Sequence, residues 1–177
     1  MYPMNNETNA ARLRYLMQLD ANRQKAKSAG RIETQRNEYQ TARGGTEAAN
    51  TTSVPLQKEG GTFVVPAVVN NTINLSFVID SGASDVSIPA DIVFELMRKG
   101  SIQTSDFIGQ KTYELADGST MPSQTFRLRS VKVGDKVVEN VLASMAPVKG
   151  SLLLGQSFLS RFRSWSLNNA KQALVLE

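Results

Sequence analysis

The chain has 177 residues, 41% of them hydrophobic, with no His and no Cys, enough for one hydrophobic core plus an accessory segment. Lacking imidazole and thiol, it cannot assemble a Ser-His-Asp hydrolase, a cysteine nucleophile or a Cys/His zinc site, which leaves carboxylate, hydroxyl, Lys and Tyr chemistry and, at most, an oxygen-ligated metal such as magnesium. The net charge of +4 divides into +3 over residues 1–55 and +1 over residues 56–177, so the basic excess sits in the leader and no nucleic-acid partner is expected.

The leader comes first. No run of about 18 apolar residues occurs, and Met1-Tyr2-Pro3-Met4 lacks the charged and apolar blocks of a signal peptide. The chain as given is therefore expected to be soluble, or to be the soluble part of a longer precursor. Residues 5–43 are polar, with a brief helical stripe at Ala10, Leu13, Leu16 and Met17 that fades after Leu19. That pattern predicts a marginal helix fraying into a linker, since little apolar surface offsets the ordering of the chain; a helical stalk or pairing helix is the functional alternative. Gly44-Gly45 and the Ala/Asn/Thr run through Ser53 read as a boundary, giving a leader over 1–53 and a domain over 54–177.

From Val54 the pattern changes to short β-type runs punctuated by turns, which predicts a mainly β domain built as a closed or folded barrel. Phe63-Val64-Val65 and Ala67-Val68-Val69 lead to Asn70-Asn71, whose side chains tolerate the left-handed backbone of a tight hairpin. The returning strand, Ile73 to Ile79, delivers Asp80 at its end. Pro89 suits the first turn of one short helix over Ala90 to Met97, with Ile92, Val93, Leu96 and Met97 as its apolar face and Gly100 as its stop. Thr112 to Leu115 and Thr125 to Leu128 flank a loop with Asp117-Gly118, and Val131 to Val133 and Val137 to Leu142 flank Gly134-Asp135, both hairpin signals. The tail offers Leu152-Leu153-Leu154-Gly155, a short helical piece near Phe158-Leu159, then Trp165 to Leu167, Asn168-Asn169 and Ala173 to Leu176.

The segment Asp80-Ser81-Gly82-Ala83-Ser84 places one carboxylate where the apolar run Phe77-Val78-Ile79 breaks into a tight turn. Asp-Ser-Gly alone is ordinary turn chemistry, because Asp and Ser bond nearby backbone and Gly supplies positive φ. Order along the chain adds the information. The apolar strand, Asp80 to Ser84, the following Ile88-Pro89, a central Asp-Gly hairpin and a late Leu153-Leu154-Gly155 together resemble the retroviral-type (retropepsin-like) aspartic peptidases, most closely their bacterial branch, over Val54 to Glu177.

The resemblance implies a mechanism without cofactor or metal. Asp80 meets its equivalent from a second subunit, the two carboxylates hold one proton between them, and a water held by the pair attacks the scissile carbonyl. Gly82 lets its amide approach the carboxylate, Ser81 bonds across the two-fold axis, and Ser84 bonds near the carboxylate or caps the turn. Leu153, Leu154 and Gly155 pack behind the catalytic loop. The hairpin at Ala116-Asp117-Gly118-Ser119 is the flap that closes over a bound peptide, with Tyr113 and Met121 near it as pocket or packing residues. Because the chain carries one motif where two-lobed pepsin-like enzymes carry two, the resemblance implies an isologous homodimer. Val54 to Gln57 and Ala173 to Leu176 are the candidate interface strands.

The segment from Asp80 to Gly155 is longer than in compact retroviral enzymes, in part because of the helix at Ala90 to Met97. The favoured reading is a homodimeric aspartic endopeptidase acting on extended protein or peptide substrates. The alternatives are a noncatalytic retropepsin-like dimerisation or peptide-binding module, and an unrelated small β-barrel whose Asp80 merely bonds local amides. The resemblance also favours a periplasmic setting over a cytoplasmic one, with residues 1–55 as a tether to a membrane anchor outside this chain.

Overall fold

Asn70 and Asn71 both adopt left-handed backbone, with φ of 50° and 54°, and so fold strand β3 (Thr62–Val69) back onto β4 (Ile73–Ile79) in antiparallel register. This computed structural model describes residues 14, 16–18 and 51–177. The expectations for Ala10, Leu13, the fraying after Leu19 and the Gly44-Gly45 boundary lie outside the described residues.

The remaining strands are β1 (Thr52–Pro55), β2 (Gln57–Glu59), β5 (Val86–Pro89), β6 (Phe107–Glu114), β7 (Thr120–Val133), β8 (Lys136–Ala146), β9 (Leu153–Leu154), β10 (Trp165–Asn168) and β11 (Ala173–Leu176). The helices are α1 (Ala90–Arg98) and the single turn α2 (Gln156–Leu159), with a 3-10 turn at Thr104–Asp106. Eight strands form one sheet in the order β2-β3-β4-β9-β5-β8-β7-β6. A further pairing of Val68 and Val69 in β3 with Lys132 and Val131 in β7 closes six of them into a ring, as the expected barrel requires. Asn70 sews that seam: its side chain donates to Ser101 O (2.9 Å) and accepts from Ser130 N (3.1 Å), while its own amide donates to Ser130 O (2.8 Å). A buried polar side chain is tolerated here because its bonds are made.

Alternate residues of β3, β7 and β8 point inward and meet Phe77, Val86, Ile88, Leu154 and Phe158 in one core, all fully buried. Burying each such side chain is worth about 1.5–3 kcal/mol, so this core holds the scaffold on which the loops ride. Helix α1 packs Ala90, Val93, Phe94 and Leu96 inward. Pro89 is its N-cap rather than a residue of its first turn, and Gly100, at φ 70°, receives the chain as it leaves. The expected face of α1 omitted Phe94, while Ile92 and Met97 are only partly buried. Phe94 belongs to a second cluster with Ala90, against which Met97, Phe107, Met145 and Val148 pack together with Leu16 and Met17 of the leader. The described leader residues are helical, and Met17 O accepts from Thr104 Oγ1 at 3.4 Å.

Two expectations change. The strands of the Asp117-Gly118 hairpin are longer than Thr112 to Leu115 and Thr125 to Leu128, since β6 begins at Phe107 and β7 at Thr120. Near the tip only Tyr113 and Met121 are half-buried among exposed and mostly polar neighbours, which leaves little apolar alternation to read. Strand β11 is also not an edge. It lies between β1 and β10 in a separate three-stranded antiparallel sheet, with Val54 opposite Leu174 and Leu167 opposite the same residue on the other side. Its backbone is engaged within the chain, so the edges of that sheet are β1 and β10. No helix among the described residues is long and apolar enough to cross a membrane.

Candidate active site

Strand β4 ends at Ile79, and the chain turns at Asp80 through Ser81, Gly82, Ala83 and Ser84 before entering β5. Asp80 is half-buried, and Ser81, Gly82 and Ser84 are exposed. The Gly82 amide donates to Asp80 Oδ1 at 2.9 Å. A Cβ at Gly82 would stand 3.3 Å from that oxygen, so a side chain there would press on the carboxylate it now orients.

The loop is held from beneath by the late apolar segment. Strand β9 lies parallel to β4, pairing Val78 with Leu153 and Ile79 with Leu154, and antiparallel to β5 at Ser87. Val78 N donates to Leu152 O (2.9 Å) and Asp80 N to Leu154 O (3.2 Å). Past β9 the direction of donation reverses: Gln156 N donates to Ala83 O (2.8 Å), Ser157 N to Ser84 O (2.9 Å), and Gln156 Nε2 to Ser81 O (2.8 Å). The Ser157 hydroxyl accepts from Val86 N (2.9 Å) and donates to Leu142 O (2.7 Å), which ties the loop's exit to β8. Three loop carbonyls are therefore fixed by amide donors, as a loop of exposed residues needs if it is to hold one geometry. Gly155 makes the approach feasible. A Cβ at that position would lie 2.3 Å from Asp85 O and 2.7 Å from Ala83 O.

The flap expected at Ala116 to Ser119 is the exposed tip of the β6–β7 hairpin. Gly118, at φ 79°, supplies the left-handed residue, and Leu115 N and Gly118 N bond across the turn to Ser119 O (2.8 Å) and Leu115 O (2.9 Å). Asp117 Oδ1 accepts from the Ser119 hydroxyl (2.6 Å) and amide (2.9 Å), and these bonds, the hydroxyl first, hold its carboxyl below the usual range. Asp117 thus serves the turn. The hairpin meets the end of the Asp80 loop through its stem, where Tyr113 Oη donates to Asp85 Oδ2 at 2.6 Å and Lys111 Nζ lies 3.2 Å from the same atom. Burial first, then the bond to Asp85, pushes the Tyr113 phenol above its ordinary pKa.

The fold gathers Asp80, Ser81 to Ser84 and Leu153 to Gly155 into one assembly. Sequence reasoning missed Asp85, Lys111, Gln156 and Ser157. A signal for Asp85 existed, since a carboxylate directly before the apolar Val86 enters the core with its strand and must find donors there. Among the described residues no three acidic side chains gather as a metal site.

A family model described as "gag-polyprotein putative aspartyl protease" matches residues 65–161, a span that holds both Asp80 and Gly155. The fold is similar to the crystal structure of a retropepsin-like aspartic protease from Rickettsia conorii, at 25% identity and a TM-score of 0.54, over 77% of this chain and 96% of that one. No curated protein matches. With the family model covering more than half of the chain and the barrel matching a solved member, the chain belongs to the retropepsin-like aspartyl protease family.

Proposed function

We propose that the protein is an aspartic endopeptidase that acts as a homodimer, with one Asp80 from each subunit. The observation that carries this reading is the way the single Asp80 is held: an amide from Gly82 on one oxygen, and a loop whose carbonyls are clamped by Gln156 and Ser157. Such a clamp presents a carboxylate in fixed geometry, which is what positions a catalytic group.

Two carboxylates placed together cannot both ionise, so the pair holds one proton. The ionised member takes a proton from the water between them as its oxygen attacks the scissile carbonyl carbon. The protonated member gives its proton to the carbonyl oxygen, and the tetrahedral adduct collapses as the amine leaves with a proton returned from the pair. The substrate lies extended across the axis, where strand-like bonds hold its backbone and alternate side chains enter pockets. The tip at Ala116 to Ser119 closes over it and excludes water.

The test is Asp80→Asn with a denatured protein as substrate. The variant is expected to keep its fold and sedimentation behaviour while losing cleavage, and cleavage that survives refutes the mechanism. Mixed equally with wild type, it should lower cleavage per wild-type subunit to about half, because random pairing gives half of the wild-type chains an inert partner. An unchanged rate per wild-type subunit refutes a shared site.

A further inference from the structure

Asp85 is a carboxylate for which the reaction at Asp80 has no use. Its side chain is only 6% exposed, and a buried carboxylate needs donors. Both of its donors come from β6, the strand at the end of the eight-stranded sheet, whose ladder partner is β7. Tyr113 and Lys111 are two residues apart and share one face of β6. The Lys111 ammonium also lies 4.8 Å from the centroid of the Tyr113 ring. Tyr113 stands opposite Met121, and the hairpin tip starts three residues later at Ala116. On the other side, the residues flanking Asp85 are both held by Ser157, whose amide donates to Ser84 O (2.9 Å) and whose hydroxyl accepts from Val86 N (2.9 Å), so Asp85 sits within the same clamp that fixes the catalytic loop. One buried oxygen therefore joins the loop to the stem of the flap.

We propose that Asp85 is a positioning residue that latches the flap stem to the catalytic loop through Tyr113 and Lys111. The latch sets where the flap stands over Asp80. A hairpin already fixed at its stem loses less freedom when it closes on a peptide, so the latch favours substrate binding rather than the chemical step. The kinetic part rests on the endopeptidase reading; the mechanical part does not.

The test uses the full chain with Asp85→Asn, Tyr113→Phe and the double variant, followed by hydrogen exchange read segment by segment and by peptide cleavage. Amides of residues 107–124 are expected to exchange about tenfold faster in Asp85→Asn, with α1 and β8 unchanged. KM should rise about tenfold with kcat kept within about twofold, and the double variant should be little worse than Asp85→Asn alone, since both break one contact. Lys111→Arg, which keeps the cation, should retain the wild-type KM. Flap exchange that stays at the wild-type rate, or that rises equally in every segment, overturns the latch. A fall in kcat at constant KM overturns its assignment to binding. If Asp85→Asn does not fold, Tyr113→Phe removes the 2.6 Å bond and keeps the ring, and its exchange pattern decides. Should the wild type cleave nothing, the endopeptidase reading fails and the exchange data still decide the latch.

Discussion

Replacing Gly155 by Ala separates support of the Asp80 loop from the chemistry proposed for its carboxylate. The added Cβ would sit 2.3 Å from Asp85 O, 2.7 Å from Ala83 O and 2.8 Å from Asp85 C, all backbone atoms that cannot rotate away. Relief requires the segments carrying Ala83 to Asp85 and Gly155 to separate by close to an ångström. That displacement stretches the Gln156 N to Ala83 O and Ser157 N to Ser84 O bonds, each worth about 1 kcal/mol, and adds an overpacking cost of about 1–3 kcal/mol. We expect Gly155→Ala to destabilise the fold by about 3–5 kcal/mol, measured as a shift of the urea midpoint at constant m-value. Gly82→Ala is the control. Its Cβ would meet a single side-chain oxygen at 3.3 Å on an exposed loop, so stability should fall by less than about 1 kcal/mol while cleavage falls by at least tenfold, about the loss a slightly misplaced catalytic group causes. Equal midpoints for Gly155→Ala and wild type would refute the reasoning, because the contact would then be relieved without disturbing the loop.

Three further outcomes follow from the same geometry. Gln156→Ala removes the bond to Ser81 O and should cost no more than about 1.5 kcal/mol yet lower kcat/KM about tenfold; paired melts and progress curves check both. Because the Tyr113 phenol is pushed up in the folded state, the fold binds that proton more tightly than the unfolded chain. Its contribution is therefore full below the ordinary tyrosine pKa and is lost as pH rises above it. Urea midpoints at about pH 8 and about pH 11 should thus fall less for Tyr113→Phe than for wild type, and parallel falls would exclude the effect. Leu16→Ser with Met17→Ser removes the leader's packing on Ala90 and Phe94 and should lower stability by about 1–2 kcal/mol, whereas an unchanged midpoint would show that the contact contributes nothing.

How far the sequence foretold this site depended on the distance over which each residue acts. Asn70-Asn71 and the run Ile73 to Ile79 carry their own turn chemistry and apolar pattern, so β4 and the position of Asp80 at its end were readable from adjacent residues. The stem of the β6–β7 hairpin was not. Gln110, Lys111 and Thr112 are exposed, and the glycine-bearing irregularity between Phe107 and Gly109 breaks the register, so neither alternation nor turn residues marked where β6 began. Asp85 looked like one more polar residue after the motif because its partners lie 26 and 28 residues away. Gln156 was hidden for the same reason, its acceptor being 75 residues distant. The apolar run Ala173 to Leu176 marked a strand, but a central strand and an edge strand bury their side chains alike, so the pattern could not say which ladder would claim its backbone.

The position of β11 bears on how the proposed dimer would form. If Ala173 to Leu176 offered a free edge, its ladder bonds would be made only by a partner, and folding and association would be one event. Instead β1 and β10 satisfy that backbone within the chain, and the loop bearing Asp80 is clamped by Leu154, Gln156 and Ser157 of the same chain. In the proposed dimer each subunit would thus present a finished half-site before it meets another. In the proposed homodimer, association then has to contribute only the second carboxylate and the second wall of the cleft, and the edges of β1 and β10 remain available to make the contact. Loss of the partner would cost such a protein its activity and leave its barrel intact, which places control of the chemistry in the subunit equilibrium rather than in folding.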